Sequence, residues 1–531
     1  MVGSAEPHLT GGIFTGPYGS PMTTPDPTDQ PATSPTSVAP AMALHWQVRT
    51  ATVEQREADG RHARLARSRT SMATFSASPD RPDPVALLIG QEGARVQQLL
   101  PLRHARMAVS PFTFYRGSAV VMANDLAASP NSGLVTQLCG DAHLSNFGMF
   151  AAPDRNVVFD INDFDETNPG PFEWDVYRLA ASFVLAGRDV KLGETIVANA
   201  ATAVALAYRT QMATYAAMPD IGVWYDRIGV DVLQQWAKQE GSKVAEKRVQ
   251  QGAAKARSRD GWSAISKMTE MVDGQRQFLN MPPLLIRIPL DADATKVIIG
   301  LLDQYKETLP ADRRQLLRRY HLIDFAHKVV GVGSVGLLAF VALLQGRDPD
   351  DLIVLQVKQA VHSVLEPFTA PSMFDLSGER VVVGQQFMQA ASDAFLGWIR
   401  GPRGKDFYVR QLRDMKYAVD PARFTESSLK TYGTVCGRTL ARAHARSGDP
   451  VAIAAYLGTS TKFDVAIRDF SLSYADQVDK DFAAFSAAIA DGRVSTLKPG
   501  EGENYTIAAS PVAGISVVDD SDTGSAAPAS T

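Results

Sequence analysis

The sequence predicts an α+β protein of two lobes, one largely helical and one built on a small antiparallel sheet. Three observations carry this. Apolar residues recur at helical spacing through long stretches on both sides of the middle of the chain. From about Val329 to Leu412, short β-like runs alternate with turns containing glycine and proline. Between Cys139 and Arg178, carboxylates crowd a loop, the end of a strand and the start of a helix.

The 531 residues are 45% apolar and 21% charged, enough for a large core in an ordinary globular chain. A net charge of −4 gives no basic field, so no nucleic-acid partner is expected. The two cysteines, Cys139 and Cys436, build neither a disulfide framework nor a CxxC metal pattern, which points to the reducing cytoplasm. Met1 to Gly12 has neither the basic start nor the apolar stretch of a secretory signal. The longest apolar run, Val335 to Leu344, is about half of the ~20 residues a spanning helix needs, so no membrane partner is expected. Residues 1–45 and 499–531, rich in small and polar residues, are expected to be disordered, because they cannot bury enough apolar surface to offset ordering.

In chain order, a region over 46–325 opens with a helical pattern from Val85 to Leu100 and an apolar, aromatic segment from Phe112 to Tyr115. The acidic segment follows, and 190–320 reads as mostly helical. Lys243, Lys247, Arg248, Lys255, Arg257 and Arg259 form a basic stripe there, read as a solvated helix face or as a binding surface for an anionic acceptor. The sheet lobe occupies 326–420, with strands at Leu337–Leu344, Leu352–Val357, Ala394–Ile399 and Phe407–Leu412. Residues 421–498 return to helix, at Ser427–Arg446 and Ala475–Ile489.

In Cys139-Gly140-Asp141-Ala142-His143-Leu144-Ser145-Asn146, an Asp stands five positions before an Asn in a loop opened by glycine. That is the spacing of a kinase catalytic loop, where the Asp takes the proton of the acceptor hydroxyl and the Asn ligates a metal. A strand-like run, Val157 to Phe159, then delivers Asp160, Asp163 and Asp165, and magnesium prefers such oxygens together with substrate phosphates. Side chains alternate along extended chain, so Asp163 and Asp165 can share a direction that Asp160 does not. After Pro169-Gly170, Asp175 sits in the first turn of a helix, where free N–H groups favour a carboxylate.

Gly331, Gly333 and Gly336 form a GxGxxG pattern. A dinucleotide-binding loop would be followed at once by a helix; here an apolar run, a turn and a second run lead instead to Lys358. A glycine loop over the phosphates and a strand lysine pairing with them is the layout of a kinase nucleotide lobe. Glu366 and Glu379 both qualify by position as partners of Lys358, and the segment near Gln411 to Asp414 as an adenine-contacting hinge. Arg116 is a further candidate for phosphate, its alternatives being a stack on aromatics or an ion pair with Asp125. Because the catalytic loop precedes the glycine loop, the fold expected is protein-kinase-like and circularly permuted, with the helix Leu429–His444 serving the loop from the far side of the sheet lobe.

Asp141 to Asn146, Asp163, Gly170 and Asp175 resemble the site of aminoglycoside and choline phosphotransferases. The resemblance implies that Asp141 is the catalytic base, that Asn146 and Asp163 hold magnesium, that Asp175 braces the loop and that His143 is structural. More of the chain is similar to the family of unknown function numbered 2252, through SPFTFYRG (110–117), CGDAHLSNFG (139–148), NDFDETNPGPFEWDVYRLAAS (162–182), VVGVGSVG (329–336), LQVKQA (355–360) and YVRQLRDMK (408–416). That family name implies no reaction. The expected function is transfer of phosphoryl from ATP, with magnesium, to a small-molecule hydroxyl. Nucleotidyl transfer, a nucleotide-binding pseudokinase and, last, a metal-dependent hydrolase using His143 are the other classes weighed.

Overall fold

In the computed structural model, residues 49–239, 243–258, 261–282, 284–329, 335–412 and 415–497 are described. The expected tails, Gly331, Gly333, Arg259 and the end of the hinge segment at Asp414 lie outside the described residues. The chain is a mixture of helices and small antiparallel sheets, as the sequence predicts.

The N-terminal part is helical, with α1 (Val53–Ala66) and α2 (Pro111–Gly117). Ser110 caps α2 in a capping box with Thr113, and Pro111 sits in its first turn, where no N–H is missed. The helix expected over Val85–Leu100 is broken: one helix ends at Gly90, two 3-10 turns follow, and the next begins at Leu100 with Pro101 in its first turn. Proline at a helix start fixes that boundary.

Two pairs of strands frame the acidic segment. β1 (Val135–Leu138) pairs with β4 (Asn168–Pro171), and β2 (Phe147–Ala151) pairs with β3 (Val157–Ile161). α3 (Phe172–Asp189) and α4 (Glu194–Ala216) follow and are almost wholly apolar where they meet. α5 (Val230–Gln239) and α6 (Lys243–Arg257) come next. A hairpin, β5 (Thr269–Val272) and β6 (Gln275–Phe278), interrupts the region expected to be mostly helical.

The larger sheet has six antiparallel strands in the order β11-β12-β10-β9-β8-β7. They are β7 (Leu285–Arg287), β8 (His321–Lys328), β9 (Ala339–Gln345), β10 (Leu352–Ala360), β11 (Gly397–Arg400) and β12 (Asp406–Gln411). α7 (Ala292–Glu307) lies between β7 and β8, and α8 (Ser377–Met388) between β10 and β11. The sheet therefore begins earlier than its predicted boundary at 326: three residues in β7 are too few to carry a period-two signal, and β8, which starts at His321, has a run of four consecutive buried residues rather than alternation. Leu355 and Val357 pack with Phe340, Phe407 and Val409 in the core shared with α7. Successive strand residues face opposite ways, so Lys358 points from the other face.

The chain closes with α9 (Glu426–Ser447) and α10 (Lys462–Ala490), the latter starting well before its predicted Ala475. α9 packs on α4 through Gly437, where a Cβ would stand 2.4 Å from the Val204 carbonyl oxygen; only glycine permits that approach. The C-terminal end of α9 meets the start of β1. Thr136 Oγ1 lies 2.9 Å from Ser447 Oγ and donates to the His444 carbonyl at 3.2 Å. Among the described residues no helix is long and apolar enough to cross a membrane.

Candidate functional site

The β1–β4 ladder sets the loop after Leu138 beside the segment before Asn168. Gly140 makes this possible. Its φ is +80°, and a Cβ there would stand 2.2 Å from the Glu166 carbonyl oxygen. The carboxylate of Asp175 accepts hydrogen bonds from the backbone N–H of Cys139 (2.8 Å) and of Gly140 (3.1 Å), so it holds the loop rather than its own helix end. His444 of α9 approaches the same carboxylate at 3.3 Å, and Tyr208 lies 2.8 Å from the other nitrogen of that imidazole.

Asp141 is oriented by Arg178, one turn after Asp175 on α3. Arg178 Nε donates to Asp141 Oδ1 at 2.6 Å, and the guanidinium lies 4.2 Å from the Tyr115 ring centre. Burial opposes the charge of Arg178, but Asp141 outweighs it and keeps the pKa above the usual arginine value. His143 Nε2 stands 3.5 Å from Asp141 Oδ2. Burial lowers the pKa of His143 to about 4, so the ring is neutral at pH 7.

The open end of the β2–β3 hairpin pairs Phe147 with Ile161, which sets Asn146 beside Asn162; the Asn162 N–H donates to the Asn146 carbonyl at 2.7 Å. The Asn146 amide donates to the Asp141 carbonyl at 2.8 Å, leaving Oδ1 as its end for a cation. The three aspartates then part company. Asp160 is buried and paired with Arg442 of α9. Asp163 lines the cleft with Asp141 and Asn146. Asp165, expected as a metal ligand, has both oxygens engaged, accepting from Lys358 Nζ at 2.7 Å and from the Tyr408 hydroxyl at 2.6 Å.

Lys358 reaches Asp165 from β10, and Tyr408 is its partner across the ladder on β12. Burial disfavours the charge on Lys358, but Asp163 and Asp165 overcome it and hold its pKa above the ordinary range. Neither predicted glutamate takes this lysine. Glu366 accepts from Ser363 N–H at 2.9 Å and lies 3.0 Å from His362 and 3.5 Å from Arg380. Glu379 is on α8, its pKa raised by partial burial. Gly336 is not among the residues that line the cleft, although its neighbour Leu337 is; its carbonyl accepts from Val96 N–H at 2.7 Å.

Arg116 lines the cleft, and its pairing with Asp125 does not form, because Arg81 takes that carboxylate at 2.6 Å. Its Nε is buried without a hydrogen-bond partner. Burial lowers the pKa of Arg116, with Asp141 and Asp163 acting against the shift. The cleft is about 130 Å³, the room of a phosphate group and a few waters.

Four contributors escaped the sequence reading. Arg178 and Tyr408 orient the two key carboxylates. Arg380 of α8 donates to the carbonyls of Asp165 (2.9 Å), Val361 (2.8 Å) and Thr167, tying α8 to the acidic segment. Glu166, whose pKa burial raises to about 7, accepts from Val364 N–H at 2.8 Å in the cleft wall. Only Arg178 had a local signal, its one-turn spacing from Asp175; the others depend on partners remote in the chain.

No curated protein and no solved structure matches the chain. A family model, described as an uncharacterized protein conserved in bacteria (DUF2252), matches residues 95–488. That span takes in the loop, the acidic segment, the six-stranded sheet and α9, and the chain therefore belongs to the DUF2252 family.

Proposed function

We propose that the protein is an ATP- and magnesium-dependent phosphotransferase of a circularly permuted, protein-kinase-like fold, acting on the hydroxyl of a small molecule. The observation that carries this is the ion pair of Lys358 and Asp165, which joins the sheet lobe to the segment bearing Asp163, Asn146 and Asp141. Strand order adds support. The segment with the glycines links β8 to β9, the lysine is on β10, and α8 follows it, the sequence of parts in a kinase nucleotide lobe. Where a kinase lysine pairs with a helix glutamate, Lys358 pairs with Asp165. The contact of the α9 end with Thr136 supports the permutation, since in the kinase order that helix would run directly into the loop.

The residues fit magnesium. Among the described residues no cluster of three or more His, Cys, Asp or Glu is arranged to hold a metal alone. One carboxylate and one amide oxygen suit an ion that completes its shell with phosphates and water, not the nitrogen and sulfur set of zinc. Asn146 Oδ1 and Asp163 would hold it, and the bound ion would neutralise phosphate charge. Asp141, turned by Arg178, would accept the proton of the acceptor hydroxyl through Oδ2. Lys358 and Arg116 would face the phosphate oxygens, where fixed cations stabilise the charge of transfer.

The test is thermal stability with ATP, with and without magnesium, on wild type, Asp163→Ala and Lys358→Met. A magnesium-dependent rise in Tm, absent from both folded variants, is expected. No rise in folded wild type would overturn the reading. Release of ADP would mark phosphoryl transfer, and release of pyrophosphate would mark nucleotidyl transfer instead.

A further inference from the structure

A second cavity lies apart from the acidic cleft and shares no lining residue with it. It is about 620 Å³, within the usual range for small-molecule sites, and is lined by α5, α6, the β2–β3 hairpin, the segment Tyr417–Phe424 and the start of α9. Five aromatic rings, Phe159, Trp236, Tyr417, Phe424 and Tyr432, line it. Its charge is one-sided: Arg248, Lys255 and Arg423 are set against a single carboxylate, Asp420, which lies 3.3 Å from Arg423.

Arg248 and Lys255 are two members of the basic stripe, and their spacing of two turns puts both on one face of α6. Gly252 lies between them on that helix, where a Cβ would be 3.0 Å from the Tyr417 ring, so the helix backbone comes close to the cavity wall. Lys255 Nζ stands 5.8 Å from the centre of the same ring. Neither Arg248 nor Lys255 has an acidic partner among the described residues. All four cations are exposed on α6, but Arg248 and Lys255 line the cavity and Lys243 and Lys247 do not, so solvation of the helix face alone does not account for where these two stand.

We propose that this cavity binds a small anionic aromatic molecule, with its ring among the five aromatic side chains and its anionic group at Arg248 and Lys255. Ring stacking and cation–anion attraction both need such a ligand, and an uncharged ring or an aliphatic anion would use only half the site. The proposal is independent of the phosphotransferase reading.

The experiment is a titration of the native full chain with 8-anilinonaphthalene-1-sulfonate, followed by dye emission. Saturable binding at one site per chain is expected, competed by naphthalene-1-sulfonate and not by ethanesulfonate. The Arg248→Glu/Lys255→Glu double variant should weaken it at least about tenfold. Lys243→Glu/Lys247→Glu, the same charge change on the same helix outside the cavity, should leave it within about twofold. Asp163→Ala should leave it unchanged, which separates this site from any nucleotide site. Absence of saturable binding, or equal weakening by the two charge-reversal pairs, would overturn the proposal.

Discussion

Lys358 is 4% exposed and its ammonium is held by a carboxylate that also accepts from Tyr408. At this scale the energetics are those of a buried ion pair, whose formation gains little but whose breaking leaves a charge stranded. Lys358→Met is therefore expected to lower unfolding stability by about 3 kcal/mol, and Tyr408→Phe by about 1 kcal/mol. Urea unfolding measures both. A Lys358→Met variant as stable as wild type would mean that the pair does not form as placed. The same contact explains why Asp165 differs from Asp163 although their parity is equal: β3 ends at Ile161, so period-two alternation no longer governs the residues beyond it.

α8 is the element that fixes the acidic segment from the side of the sheet. Its Arg380 is 2% exposed and donates to three carbonyls on two different segments. Arg380→Met leaves those carbonyls without a donor, at about 1–3 kcal/mol for each buried group left unpaired. Amide hydrogen exchange is expected to accelerate in peptides covering 161–168 and 361–366, while peptides from α4 and α9 keep their protection. Uniform acceleration throughout the chain would instead assign Arg380 a global rather than a local role.

Across the whole molecule, acid stability is set in part by a histidine that does not line the cleft. His327 on β8 is 1% exposed, meets Phe340 edge-on, and has neither ring nitrogen hydrogen-bonded. Burial lowers its pKa to about 4, below the usual 6.5, so the folded protein holds fewer protons here than the unfolded chain. Stability is then fully present above about pH 6.5 and is lost as pH falls towards 4, by up to about 3 kcal/mol. His327→Leu removes the titrating group. Its stability advantage over wild type, measured by urea midpoints, should widen by about 2 kcal/mol between pH 7 and pH 4.5. Parallel pH profiles would contradict this account.

What the sequence determined by itself is local. Gly140, the five-residue step from Asp141 to Asn146, the strand before Asp160, and the helix after Pro169-Gly170 were all legible, because turn chemistry and apolar periodicity act within a few residues. Four of the six strands of the sheet, β9 to β12, and the position of α9 were legible for the same reason, with ends misplaced by a few residues; β8, eight residues long, was not read as a strand. Tertiary structure decided the partners. Asp165 and Lys358 are 193 positions apart, Asp160 and Arg442 are 282 apart, and nothing in the spacing of either pair predicts contact. It likewise turned part of a basic stripe towards an aromatic cavity, since helix orientation follows from which face the rest of the core buries. The carboxylates were visible as a group; which one meets a lysine, which an arginine and which the open cleft depended on how strands and helices distant in the chain pack against one another.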